Sequence, residues 1–134
     1  MKQTIFCCGC QVDVEAELVF GRKIYPHRKD LGLLRFWQCP TCDNYVGCHK
    51  SEGGTPAPLG VIPTPELRRL RSQIHDKIDP LWRGGKVTRA KLYNLLDQKL
   101  GRIYHTALIR TPEEAREVMR IADSLVEIYK NDRK

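Results

Sequence analysis

The sequence predicts an α+β fold: an N-terminal zinc ribbon of short antiparallel strands, followed by three α-helices packed with it as one compact unit. Three observations predict it. Two C-x-x-C pairs, Cys7/Cys10 and Cys39/Cys42, stand about thirty residues apart, and together they supply the four sulfurs of a closed zinc site. Short runs around them alternate apolar and polar residues with a period of two. Beyond a Gly/Pro-rich stretch, apolar residues recur at helical spacing in three segments, each opened by start chemistry. These divisions give residues 1–50 as ribbon, 51–63 as connection and 64–134 as the three-helix segment.

Taken in order, residues 3–6 are an apolar strand entering the first pair. Val12-Asp13-Val14-Glu15-Ala16-Glu17-Leu18-Val19 alternates apolar with acidic residues, the pattern of a half-buried strand. Gly21 punctuates it, and Lys23-Ile24-Tyr25 is expected to pair back as another strand. His27 to Gly32 reads as an exposed charged loop, Leu34 to Gln38 as the strand entering Cys39, and Tyr45 to Cys48 as the last strand. So small a sheet cannot hold itself, and the ion joins its ends. Gly53, Gly54, Pro56, Pro58, Gly60 and Pro63 then crowd a linker or wrapping loop.

The first helix opens on Thr64-Pro65-Glu66, with Leu67, Leu70, Ile74 and Ile78 on one face. Asp79-Pro80 is expected to stop it, with Leu81 and Trp82 folding back. Thr88 caps the second helix, whose face is Leu92, Leu95, Leu96 and Leu100, and Gly101 ends it. Thr111-Pro112-Glu113-Glu114 is a capping box for the third. That helix is expected to run to about Tyr129, with Ala115, Val118, Met119, Ala122, Leu125, Val126 and Tyr129 on its inner face, before a basic tail at Lys130 to Lys134.

The formal net charge of +7 is uneven. Residues 1–50 carry seven Lys/Arg against five Asp/Glu, residues 51–110 eleven against five, and residues 111–134 five against six. A basic middle suits a polyanion, and it also serves solubility. Arg68, Arg69, Arg71, Arg83, Lys86, Arg89 and Lys91 form the candidate nucleic-acid surface. Tyr25, Phe36, Trp37 and Tyr45 could stack bases, or Phe36 and Trp37 could pack the ribbon against the helices. The start, Met1 to Phe6, runs into Cys7 without the apolar core of a signal peptide, and no run approaches a membrane span. The expectation is a cytosolic chain with metal-bound thiolates rather than disulfides.

Cys7, Cys10, Cys39 and Cys42 are the expected ligands of one structural zinc. Cys8-Gly9-Cys10 is a tighter pair than zinc knuckles use, which favours Cys7 over Cys8. Cys48 and His49 are surplus. Cys48 reads as a small buried apolar residue, His49 as a hydrogen-bond donor to a ligating sulfur. Alternatively both join Cys8 or His27 in a second metal site. His75 with Asp76 and Asp79 has spacing suited to a catalytic metal, and also to a solvated helix face. No G-x-S-x-G, Walker-type Gly-Lys-Ser/Thr or H-E-x-x-H sequence occurs, so no catalytic residue is assigned.

Trp37-x-Cys39-Pro40-x-Cys42, Tyr45-Val46-Gly47-Cys48-His49, Pro58-Leu59-Gly60, Leu67-Arg68 and Asp79-Pro80-Leu81-Trp82 together resemble a family of small zinc-finger-containing proteins of bacteriophages and prophages. The family is one of unknown function. Members commonly carry proline after the first knuckle cysteine, where this chain has Cys8. The resemblance spans roughly residues 7–110 and implies a zinc module with the four knuckle cysteines as ligands, acting in the cytoplasm of a bacterial host. It implies no activity. From residues and resemblance together, the leading reading is a structural zinc module that binds DNA or RNA through its basic helical surface. The alternatives are a module that binds a host protein, and a metal-dependent nuclease using His49, or His75 with Asp79.

Overall fold

A computed structural model describes residues 1–50 and 53–131. Ser51, Glu52 and most of the Lys130–Lys134 tail, expected to be linker and basic tail, lie outside the described residues. The chain forms two compact units, Met1–Pro65 and Glu66–Lys134.

In the first unit the alternating segments become a four-stranded antiparallel sheet in the order β1-β2-β3-β4. The strands are β1 (Lys2–Cys7), β2 (Val12–Phe20), β3 (Arg35–Gln38) and β4 (Tyr45–Gly47). Registers of Cys7 with Val12, Glu17 with Gln38, and Trp37 with Val46 put the β1–β2 and β3–β4 turns at one end of the sheet. Those two turns are the cysteine knuckles. In β2 the pleat sends Val14, Ala16 and Leu18 inward and leaves Asp13 and Glu15 exposed, which is the alternation read from the sequence. Ile5, Cys7, Ala16, Trp37, Cys39, Val46 and Ile62 make the core.

Lys23-Ile24-Tyr25 does not form a strand. Gly21–Ile24 is instead one helical turn, α1. The chain doubles back there: Gly21 N–H donates to the Leu34 carbonyl at 2.7 Å and Tyr25 N–H to the Gly21 carbonyl at 2.6 Å. Gly21 makes this approach possible, because a Cβ there would lie 1.8 Å from the Leu31 carbonyl oxygen.

The Gly/Pro-rich segment wraps the sheet. Cys8 N–H donates to the Ile62 carbonyl and Ile62 N–H to that of Phe6, both at 2.9 Å. On the opposite edge Leu59 N–H reaches Gly47 and His49 N–H reaches Ala57, again at 2.9 Å. The strap thus satisfies backbone groups on both edge strands, which would otherwise invite pairing with another chain. Val61, Ile62 and Pro56 are buried with the core.

The second unit holds α2 (Pro65–Arg83), α3 (Arg89–Leu100) and α4 (Pro112–Asn131). Leu67, Ile74, Ile78 and Leu81 of α2, Leu92 and Leu96 of α3, and Ala115, Val118, Ala122 and Leu125 of α4 are buried, the stripes that helical periodicity predicts. Thr88 Oγ1 accepts from Lys91 N–H at 3.1 Å, and α3 ends at Gly101 with φ 74°. At α4 the Thr111 hydroxyl accepts from Glu114 N–H at 3.2 Å, whereas the Glu114 carboxylate reaches Arg110 N–H at 2.9 Å, one residue before the cap.

Asp79-Pro80 does not stop the first helix, which runs through Pro80 to Arg83. A proline removes one backbone donor, and here it does so at an exposed position one turn from the end, where water can serve the freed carbonyl. Burial of Leu81 and the bonds from Gly84 N–H to the Pro80 carbonyl (2.9 Å) and from Lys86 N–H to that of Leu81 (3.2 Å) hold the final turn.

Candidate metal centre

The Sγ atoms of Cys7, Cys10, Cys39 and Cys42 all lie within 4.8 Å of one another. Cys7 to Cys42 is 3.4 Å and Cys10 to Cys39 is 3.8 Å. A tetrahedral zinc with bonds of about 2.3 Å needs sulfurs about 3.8 Å apart, so this set fits a single structural zinc ion. Among the described residues it is the one group of three or more metal-ligating side chains that gathers in this way.

The two knuckles share a backbone design. Gln11 N–H donates to the Cys7 carbonyl at 2.7 Å, and Asp43 N–H to that of Cys39 at 3.0 Å. The residue after each second cysteine is left-handed: Gln11 with φ 57° and Asp43 with φ 64°. In each, two backbone N–H groups point at the first sulfur, those of Cys10 and Gly9 at Cys7 and those of Cys42 and Thr41 at Cys39. Such donors stabilise thiolate charge and are the support a zinc–sulfur centre needs.

Two further residues, not singled out in the sequence, shape the site. Asn44 Nδ2 donates to Cys42 Sγ at 3.2 Å. A Cβ on Gly9 would stand 2.6 Å from Asn44 Nδ2 and 3.3 Å from Cys42 Sγ, so only glycine lets the knuckles meet. An amide two residues beyond a ligand was the visible signal for Asn44. Nothing local marked Gly9.

The thiols resist ionisation unequally. Burial pushes Cys7 up to about 12 and also raises Cys10. At Cys39 burial acts upward too, but the N–H groups of Cys42 and Thr41, with the Cys42 and Cys10 sulfurs, outweigh it and leave the group at about 7. Zinc must therefore displace the protons of Cys7 and Cys10 at neutral pH, and below about pH 7 that of Cys39 as well. Protons compete with metal, so affinity falls with falling pH. Competition with a chromophoric chelator between pH 8 and 6 is expected to show a drop of at least about 100-fold per pH unit. A flat profile would contradict this ligand protonation.

The surplus residues lie elsewhere. Cys8 is buried in the first knuckle outside the sulfur group, so the pairing uses Cys7. Cys48 is partly buried against the ribbon core, and His27 and His49 are exposed; none of the three joins the four sulfurs. Trp37 is fully buried, its Nε1 donating to the Pro56 carbonyl at 3.0 Å, and is unavailable to stack bases. Tyr25, Phe36 and Tyr45 pack edge to face, with ring centroids 5.5–5.9 Å apart.

In the helical unit His75 Nδ1 and Asp79 Oδ1 are 3.5 Å apart. The same carboxylate oxygen accepts from Trp82 Nε1 at 3.1 Å, and Arg83 stands 4.0 Å away, so Asp79 organises the end of α2; Asp76 is exposed. Arg83 and Arg89 lie over the Trp82 ring at 5.2 and 5.9 Å, and Arg89 over Tyr93 at 4.6 Å. Exposed Lys86 and Lys91 belong to the same α2–α3 region. Arg68 and Arg69 are exposed but lie about 20 Å back along α2. Arg71 is half-buried and donates to the Ile109 carbonyl at 2.8 Å, tying α2 to the segment before α4.

No helix among the described residues is long and apolar enough to cross a membrane. No curated protein and no solved structure matches the chain significantly. A model of a zinc-finger-containing domain matches residues 3–124, which takes in both knuckles, the strap and most of the helical unit. With four sulfurs placed for one zinc and a family match over nearly its whole length, this chain belongs to the family of zinc-finger-containing domains.

Proposed function

We propose that the protein is a nucleic-acid-binding module of phage or prophage type, acting in the cytoplasm of a bacterial host, in which zinc is structural and the helical unit contacts the polyanion. Four thiolates fill a zinc coordination shell and leave no position for substrate, which favours a scaffold role for the ion. The observation that carries the reading is the basic-aromatic cluster of the α2–α3 turn: Arg83 and Arg89 against Trp82, and Arg89 against Tyr93. Arginine beside half-exposed rings matches what single strands require, since guanidinium groups bind phosphate and ring faces accept bases. Lys86 and Lys91 add charge at the cluster, and Arg68 and Arg69 extend it for a longer strand.

Titration of fluorescent oligonucleotides, single-stranded DNA and RNA and a duplex, across a salt series tests it. The expected result is single-strand binding whose log K falls linearly with log salt. Arg83→Ala with Arg89→Ala is expected to flatten that slope by about 1.4, at about 0.7 per single-strand phosphate contact. Trp82→Ala should cost about 1–3 kcal/mol on single strands. No binding at low salt, or a slope indifferent to both arginines, would end the proposal.

A further inference from the structure

The first unit carries a second surface that the zinc and the basic helices do not use. A half-open groove of about 560 Å³ runs beside β3 and β4. Its apolar lining includes Leu33, Leu34 and Leu59, which are 79%, 51% and 48% exposed. Leucines this exposed on one face are costly to leave in water and mark a contact surface. The polar lining is Arg35, His49 and Lys50, with no carboxylate among the described residues. Nor does any of the three stand in an ion pair among the described residues. Cys48 also lines the groove, and burial raises its thiol, so it adds apolar surface rather than charge.

The chemistry narrows the occupant. Leucine walls offer nothing to phosphates or base edges. Of the two aromatic rings in the lining, Phe36 is engaged edge to face by Tyr25 and Tyr45, at centroid distances of 5.9 and 5.5 Å, which leaves the His49 imidazole alone and no pair of free faces for successive bases. Small-molecule sites enclose most of their ligand, whereas these walls stand open. Strand addition at β4 is also disfavoured, because the Gly47 carbonyl and His49 N–H are already bonded to the strap. What remains is recognition by side chains, with apolar anchors between the leucines and negative charge against Arg35 and Lys50.

We propose that the groove of Leu33, Leu34 and Leu59, bounded by Arg35, His49 and Lys50, is a docking site for a protein segment that presents large apolar side chains flanked by Asp or Glu. It is independent of the nucleic-acid reading, whose residues lie in the other unit.

The test selects a ribosome-displayed library of random dodecapeptides on the full-length, zinc-loaded, nuclease-treated chain. Enriched peptides are expected to pair large apolar residues with Asp or Glu and to carry net negative charge. A synthetic representative should bind Leu34→Ser, Arg35→Glu and Lys50→Glu at least tenfold more weakly, while each variant keeps the wild-type zinc content and so its ribbon. The proposal is overturned by no enrichment; by neutral or basic winners; by affinity unchanged in all three variants; or by a wild-type dimer in sedimentation that Leu34→Ser makes monomeric, which would make a second copy the occupant. Oligonucleotide binding lost in Arg35→Glu and Lys50→Glu would assign the surface to nucleic acid and overturn it equally.

Discussion

Stripping zinc from the intact chain with a chelator is expected to melt the four-stranded sheet and leave the helical signal standing. The ribbon's core holds one large aromatic, Trp37, with four aliphatic side chains, Ile5, Ala16, Val46 and Ile62, and its other two members, Cys7 and Cys39, are themselves ligands. Without the ion, two buried thiols lose the partner that justified placing them there. Structural zinc contributes about 10–16 kcal/mol in small fingers at neutral pH, as much as the about 5–15 kcal/mol by which whole domains are stable. The helical unit draws on none of that. Its core of leucine, isoleucine and valine from three helices is its own, and its ends are capped at Thr88 and Thr111. Amide resonances of residues 2–47 are expected to collapse into the unfolded range on chelation while those of α2 to α4 keep their dispersion. A sheet that persists in the metal-free, reduced protein would contradict the account.

Trp37→Ala should be the most damaging change that leaves the ligands untouched. The side chain is fully buried, faces Leu18 and Val46 across the sheet, and packs beside Cys7 and Cys39. Removing so large a side chain costs about 3–5 kcal/mol in transfer and cavity terms, a large share of a small unit's stability. It also deprives the buried Pro56 residue's carbonyl of its indole donor, loosening the strap. Trp37→Phe separates the two effects: it keeps most of the volume, loses the donor, and should cost about 1–3 kcal/mol. Urea unfolding of the zinc-loaded proteins, with zinc transfer to a chelator as a second readout, orders them wild type, Trp37→Phe, Trp37→Ala. Equal stability for all three would mean that the strap is not held through this ring.

The ribbon was legible because its signals are local. C-x-x-C spacing fixes which sulfurs are near neighbours, and the acidic alternation of Val12 to Val19 shows which face of β2 is wet. Where the sequence reading departed from the structure, the deciding contact was distant along the chain. Lys23-Ile24-Tyr25 has strand-like residues, but the approach of Gly21 to Leu31 turns it into a helical turn. Pro80 is the local exception: it looks like a stop, but it stands exposed one turn from the end of α2, where the helix tolerates the lost donor. Arg71 reads as one more basic residue of α2, and only the carbonyl of Ile109, 38 positions on, draws it inward. The Leu33–Leu34–Leu59 groove had no signature, since it exists only once the strap lies across β4. The metal centre was legible as a ligand set, while the choice of Cys7 over Cys8 rested on knuckle geometry that backbone hydrogen bonds complete.

Counting zinc in the single Cys→Ser series tests the central claim most directly. Metal analysis of the reduced, purified chain should find one zinc per molecule in the wild type, in Cys8→Ser and in Cys48→Ser, and a fraction of that in Cys7→Ser, Cys10→Ser, Cys39→Ser and Cys42→Ser. Full zinc in Cys7→Ser with loss in Cys8→Ser, or no zinc in the wild type, would contradict a centre built from Cys7, Cys10, Cys39 and Cys42.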